Sequence, residues 1–269
     1  MVTFPNAKIN IGLQIIEKRP DGFHNIASCF YPVGWTDVLE VIPAERFSFS
    51  SSGITIPGDA ATNLCVKAYD LLNKDFDLPP VAMHLLKIVP IGAGMGGGSA
   101  DAAFTLKLLN NRFSLGLSVH DLENYARQLG SDCAFFIENR PQYCYEKGDQ
   151  FEDIAVSLEG KHIALIYPNL HISTAEAYAG VKPKQPEEDL QKAIQQPIER
   201  WKYLIKNDFE DGLFQKYPIL HQIKDQLYKS GATYASMTGS GSTIYGIFEN
   251  MPTIQNNFDT HTVWKGTLL

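Results

Sequence analysis

The chain has 269 residues, 44% hydrophobic and 20% charged, with a formal net charge of −7. No apolar run reaches the ~20 residues of a membrane helix, and Met1-Val2-Thr3-Phe4-Pro5-Asn6 lacks the basic and apolar regions of a signal peptide. No concentrated Lys/Arg stripe is present to neutralise nucleic-acid phosphates, so a cytoplasmic globular protein is expected, with neither membrane nor nucleic acid as partner and small anionic ligands left open.

Cys29, Cys65, Cys133 and Cys144 form no CxxC pair and lie in core-like segments, which predicts reduced thiols without chemistry.

In chain order, Ala7, Ile9, Ile11, Leu13 and Ile15 alternate with Lys8, Asn10, Gly12 and Gln14, the period of a half-buried strand. On that pattern alone Lys8 is an ordinary solvated lysine. Pro20-Asp21-Gly22 is a turn signal, and Phe23 to Trp35 is strand-like, so the two stretches predict a hairpin. Thr36-Asp37 breaks the pattern. Val38 to Ile42 and Phe47 to Ile56 read as further strands, with Ser50-Ser51-Ser52-Gly53 as a turn. Asn63 to Asn73 has helical spacing, and Val81 to Val89 is again a strand.

That strand runs into Pro90-Ile91-Gly92-Ala93-Gly94-Met95-Gly96-Gly97-Gly98-Ser99-Ala100, with five glycines in seven residues, followed by an alanine-rich helix to about Asn110. Ser99 is placed as the N-cap. Such a loop presents backbone N–H groups at the positive end of a helix dipole, which suits a phosphate. A Walker A loop is excluded because no Lys follows Gly98. Gly92-x-Gly94-x-x-Gly97 also matches the dinucleotide fingerprint, but no following strand offers its ribose-binding acid.

The next helix, Ser118 to Leu129, ends at Gly130 and leaves Asp132 beyond its C-terminus, where a carboxylate gains nothing from the dipole. Asp132 therefore either serves the site or caps the following turn, before the apolar segment Ala134 to Ile137. The composition shifts near Glu152 to Gly160. His162 to Tyr167 is a strand, Ser173-Thr174-Ala175-Glu176-Ala177-Tyr178 opens a capped helix, and helices continue from Asp189 to Ser230. Thr233 to Met237 and Thr243 to Phe248 flank Thr238-Gly239-Ser240-Gly241-Ser242, which a plain hairpin explains as well as a ligand loop does.

Ala7-Lys8-Ile9-Asn10, the glycine loop and Thr238-Gly239-Ser240-Gly241-Ser242, taken in order, resemble the three motifs of the GHMP kinases. These are small-molecule kinases named for galactokinase, homoserine, mevalonate and phosphomevalonate kinases. The resemblance implies an α+β fold of two domains with the active site in the cleft between them. They are expected as an ATP-binding domain over residues 1–152 and a C-terminal domain over 153–269, the strand-like Thr262 to Leu269 being free to return to the first.

ATP is implied as phosphoryl donor, held by Pro90, Ile91, Gly92, Ala93, Gly94, Met95, Gly96, Gly97, Gly98, Ser99 and Ala100. Mg²⁺ is implied with it, in contact with Ser99. Asp132 is implied as the base that takes the acceptor's proton, and Lys8 as the cation that keeps Asp132 ionised and steadies the reacting oxygen. Asp21-Gly22-Phe23-His24 and Leu129-Gly130-Ser131-Asp132 imply an acceptor that is a small cytidyl diphosphate of isoprenoid precursor biosynthesis. Asn10, Phe23, His24, Thr174 and Tyr178 are its implied contacts, the ring of Phe23 replacing the usual tyrosine in stacking on the base. A kinase of the homoserine or mevalonate type would not need Phe23-His24, and a non-catalytic nucleotide-binding protein would need neither Lys8 nor Asp132.

Overall fold

The computed structural model describes residues 1–254 and 258–268. Along the chain come β1 (Val2–Thr3), β2 (Asn6–Lys18), β3 (His24–Thr36), β4 (Val38–Pro43), β5 (Ser48–Gly53), α1 (Leu64–Phe76), β6 (Val81–Lys87), α2 (Gly97–Phe113), α3 (Val119–Leu129) and α4 (Phe135–Glu138). They are followed by β7 (Gln142–Glu146), β8 (Gln150–Asp153), β9 (His162–Tyr167), α5 (Thr174–Ala179), α6 (Leu190–Ile194), α7 (Ile198–Leu204), α8 (Phe209–Lys216), α9 (Pro218–Lys229), β10 (Tyr234–Met237), β11 (Ile244–Phe248) and β12 (Thr262–Thr267).

Two compact units form, and neither is continuous in sequence. The first comprises Met1–Ala7, Trp35–Ile91 and Gly96–Arg140, and the second Lys8–Gly34, Gly92–Met95 and Pro141–Leu269. The boundary expected after residue 152 falls inside β8.

In the first unit a four-stranded sheet runs in the order β1-β4-β6-β5. Strand β5 lies parallel to β6 and the other pairs are antiparallel. Ser50 to Gly53 thus belongs to β5 and is not a turn. The register explains this, since Ser50 and Ser52 set their hydroxyls 2.9 Å from the two ring nitrogens of His84 on β6. Helix α2 packs against α1, α3 and α4, and its inner face (Ala100, Ala102, Ala103, Leu106, Leu109) is fully buried. Helix α3 opens with a reciprocal capping box: Ser118 Oγ accepts from Asp121 N at 3.2 Å, and Asp121 Oδ2 accepts from Ser118 N at 2.9 Å.

In the second unit one sheet has the order β2-β3-β7-β8 and another the order β10-β11-β9-β12. Turn residues 20–22 join β2 to β3, as their composition predicts. Strand β12 pairs with β9 from Thr262↔Tyr167 to Thr267↔His162, so it stays with the C-terminal sheet and does not return to the first domain. Leu269, the end of that predicted strand, lies outside the described residues.

Strand β2 departs from the expected half-buried pattern. Ile9, Ile11 and Ile15 are fully buried, as anticipated, but Lys8 and Asn10 on the opposite face are only 3% and 1% exposed. On that face the side chains of Lys8 and Asn10 meet the Phe30 ring, Ser28 Oγ and Thr238 Oγ1, and the Tyr245 hydroxyl donates to Asn10 O at 2.9 Å. The strand's other neighbour is residues 206–208, where Leu13 N donates to Lys206 O and Asp208 N to Leu13 O.

All four cysteines are free and buried, and burial pushes the thiols of Cys29 and Cys65 far up. Replacing Ser118 by Ala removes one half of the α3 capping box and is expected to destabilise the protein by about 1 kcal/mol, read as a lower urea midpoint with an unchanged slope.

Candidate active site

The glycine stretch is divided between the two units, Gly92–Met95 belonging to the second and Gly96 onward to the first. Three consecutive carbonyls of the second-unit portion are occupied: Ala93 O accepts from Thr243 N at 3.3 Å, Gly94 O from Thr238 Oγ1 at 3.0 Å, and Met95 O from Lys8 N at 3.0 Å. In a trans peptide the C=O and the following N–H point in opposite directions. The N–H groups of Gly94, Met95 and Gly96 therefore turn away from these partners, and the oxygens that would repel a phosphate are withdrawn. A Cβ on Gly94 (φ +80°) would stand 2.1 Å from Thr238 O, so only glycine lets the two glycine-rich loops approach this closely.

In the first unit the chain enters α2 through Gly96 at φ 69°, with Ala100 N donating to Gly96 O at 2.9 Å. The capping role expected of Ser99 is not what the structure shows. Gly96 reaches the left-handed region without steric penalty, so the helix starts at Gly97 and Ser99 becomes its third residue. Its opening N–H groups lack intrahelical acceptors and stand at the positive end of the dipole. Ser99 instead hydrogen-bonds the Cys133 thiol, a contact that favours the thiolate; burial outweighs it and pushes the thiol up to about 12. The same turn carries Asp132, half-buried between α3 and α4. Helix α4 starts from Ala134 with no side-chain cap bond there.

In the second unit Lys8 and Asn10 are neighbours on one face of β2. Lys8 Nζ donates to Asn10 Oδ1 at 2.5 Å and lies 4.2 Å from the centroid of the Phe30 ring. Asn10 is held on every side: its Nδ2 donates to Ser28 Oγ at 2.9 Å, its N to Thr238 Oγ1 at 3.0 Å, and its carbonyl accepts from Tyr245. Asn10 thus orients the ammonium. Thr238 joins β2 to Gly94, so one hydroxyl connects the first glycine loop to the second. Asn207 Nδ2 braces the second loop through Met237 O at 2.8 Å and Gly239 O at 2.9 Å.

The residues expected at the base subsite are brought together in part. The His24 ring stacks on Tyr178 with centroids 4.5 Å apart and planes 20° off parallel, and Tyr178 meets Phe209 edge-on. Phe23 is 56% exposed, with Lys147 Nζ 5.5 Å from its ring centroid. Tyr178 therefore faces His24, not Phe23. Thr174 is exposed at the first turn of α5, which Ser173 caps. Burial, aided by Lys18, lowers the His24 pKa below its usual 6.5 and favours the neutral ring.

Ser28, Phe30 and Tyr245 carry no local sequence signal of their contacts with Lys8 and Asn10, nor does His171, whose ring sits against Gly92. Only the Thr238-Gly239-Ser240-Gly241-Ser242 motif carried a signal, which a hairpin explained equally well.

A family model described as the GHMP kinases N terminal domain matches residues 63–139, and one described as GHMP kinases C terminal matches residues 188–258. The chain belongs to the GHMP kinases. Relatives of this GHMP kinase include a 4-diphosphocytidyl-2-C-methyl-D-erythritol kinase of Cytophaga hutchinsonii, 53% identical over 94% of each chain. Another of the same description, from Bacteroides thetaiotaomicron, is 51% identical over 93% of this chain and 92% of its own. A crystal structure of a 4-(cytidine 5'-diphospho)-2C-methyl-D-erythritol kinase superposes with a TM-score of 0.84 at 26% identity, covering 100% of this chain and 99% of that one. The mevalonate kinase of Methanococcus jannaschii shares the fold alone, with a TM-score of 0.73 at 12% identity over 100% of this chain and 98% of its own.

Replacing Gly94 by Ala forces a Cβ into Thr238 O. It is expected to weaken ATP binding by about tenfold to a hundredfold in calorimetric titration, the equivalent of roughly 1–3 kcal/mol of backbone strain, with the circular dichroism spectrum unchanged.

Proposed function

We propose that this GHMP kinase transfers the terminal phosphoryl group of ATP to the 2-hydroxyl of 4-diphosphocytidyl-2-C-methyl-D-erythritol. This is a step of non-mevalonate (methylerythritol phosphate) isoprenoid precursor biosynthesis, and a cytoplasmic location belongs to the same proposal. The observation that carries it is the 53% identity over 94% of the chain to a relative described as that kinase.

The outward N–H groups of Gly94, Met95 and Gly96 and the first turn of α2 hold the triphosphate. Hydrogen bonds to a charged acceptor are worth about 1.5–3 kcal/mol each, so several together replace the lysine of a Walker loop. Asp132 takes the proton of the acceptor hydroxyl. Lys8, its ammonium aimed by Asn10, stabilises the developing oxyanion and the ionised base. Phe23 and His24 receive the cytosine, with Thr174 and Tyr178 beside it. The neutral His24 ring offers both a donor and an acceptor to the base edge.

Among the described residues no group of three His, Cys, Asp or Glu side chains makes a metal cage. That fits Mg²⁺, which keeps most of its waters and is carried chiefly by nucleotide phosphates. Ser99 on α2 would hold it from the protein side. Bound there, it would supply positive charge to neutralise the triphosphate.

Purified protein with ATP and Mg²⁺ is expected to release ADP with the cytidyl acceptor and not with homoserine or mevalonate; the reverse pattern overturns the assignment. Asp132→Ala is expected to lower kcat by about 10²–10⁴-fold while ATP titrations stay near wild type. The acceptor KM is expected to stay flat from pH 8 down toward neutrality and to rise at acid pH, as His24 gains a proton below its depressed pKa. A KM that rises instead toward alkaline pH would remove neutral His24 from recognition.

A further inference from the structure

The largest buried charge cluster of the first unit has no part in the chemistry above. Lys87, at the end of β6, is 3% exposed, and its Nζ reaches Asp37 Oδ2 at 2.5 Å and Asp101 Oδ2 at 2.8 Å. Asp37, in the link between β3 and β4, is fully buried and accepts from Ile88 N at 2.5 Å and Val89 N at 2.8 Å through Oδ1. Asp101 lies on the inner side of α2, one turn from its start, and its Oδ1 has no hydrogen-bond partner among the described residues. Burial opposes the charge on Lys87, but the two carboxylates outweigh it and raise its pKa, so the ammonium stays protonated.

This arrangement is a poor choice if stability alone is at stake. Asp37 and Asp101 share one ammonium away from water, burial pushes the Asp101 carboxyl up to about 7, one of its oxygens is unsatisfied among the described residues, and a packed apolar cluster would serve as well or better. What the cluster does provide is position. One Nζ atom joins the strand that leads into the glycine loop, the link before β4, and the first turn of α2. The ammonium also lies where a Cβ on Gly97 would come within 3.0 Å of it, with Val89 Cγ1 at 3.2 Å, so the first residue of α2 sits directly on the cluster. Both ends of the glycine loop in this unit, Val89 before it and Gly97 after it, are set against the same charged atoms.

We propose that Lys87 and Asp101 are positioning residues of the nucleotide loop, the pair fixing the direction in which the first turn of α2 presents its N–H groups. Neither touches the nucleotide; they act through Gly97 and the helix start. The inference rests on the kinase reading for its substrate, and nucleotide binding without any acceptor tests it separately.

Asp101→Ala leaves Lys87 neutralised by Asp37 and cuts only the tether to α2. Its expected effect is a KM for ATP, and a Kd for ATP measured without acceptor, raised about tenfold, with the acceptor KM within twofold of wild type and kcat reduced less than KM is raised. Asp101→Asn keeps an oxygen for Lys87 and is expected to restore ATP binding to within about threefold. Leu106→Ala, which weakens the same helix through packing alone, serves as the control and is expected to lower Tm without moving the KM for ATP. The proposal is overturned if Asp101→Ala lowers Tm but binds ATP as wild type does, if it raises both KM values equally, or if Asp101→Asn fails to restore binding. If wild type binds ATP yet phosphorylates no cytidyl acceptor, the substrate assignment fails while the ATP titrations still decide the role of Asp101.

Discussion

The conformation of the glycine loop depends on where three carbonyl oxygens go. The oxygens of Ala93, Gly94 and Met95 are taken by Thr243 N, Thr238 Oγ1 and Lys8 N, and peptide planarity then turns the next three N–H groups the other way. A run of glycines only permits that conformation. The partners impose it, and they come from residues far apart in sequence: the beginning of β2 and the turn between β10 and β11. Because Lys8 donates its backbone N–H to this loop and its ammonium to Asn10, the register of one buried strand positions both the lysine side chain and the glycine loop.

The buried polar groups of β2 share this logic. A charged lysine at 3% exposure is tolerated only where the surroundings compensate it, and Asn10, itself gripped by Ser28, Thr238 and Tyr245, is part of that compensation. Such networks restrict the side chains in them to one arrangement. For the oxyanion-stabilising role proposed for Lys8, such a fixed arrangement avoids reorganisation at the moment of reaction. The first unit repeats the theme with Lys87, Asp37 and Asp101, where burial and pairing set the orientation of a helix.

Much of the fold was legible. The alternation at residues 7–15, the turn at Pro20-Asp21-Gly22, the capped helices from Asn63 and Ser118, and the strand pair around Thr238 are local signals, and each element stands near its expected position. The serine run of β5 was misread because its composition favours turns, while its pairing with β6 is a long-range choice. Strands β7 and β8 are short, carry mixed polar residues and have no counterpart among the expected strands. Ser99 was placed one turn too early in its role: cap preference favours serine, yet Gly96 could adopt a left-handed conformation and started the helix first.

The sequence by itself determined that a glycine-rich loop precedes a helix, that it is neither a Walker nor a dinucleotide loop, and, through the joined motifs, the kinase family. Those are properties of consecutive residues, which local sterics and spacing decide. Only the tertiary structure decided that Lys8 is buried and held by Asn10, that Thr238 clamps Gly94, that Tyr178 stacks on His24, and that Lys87 braces both ends of the loop. Each of these joins side chains tens to hundreds of residues apart, or, for Lys8, depends on what covers the strand's second face. No pattern along one strand can reveal what packs on it.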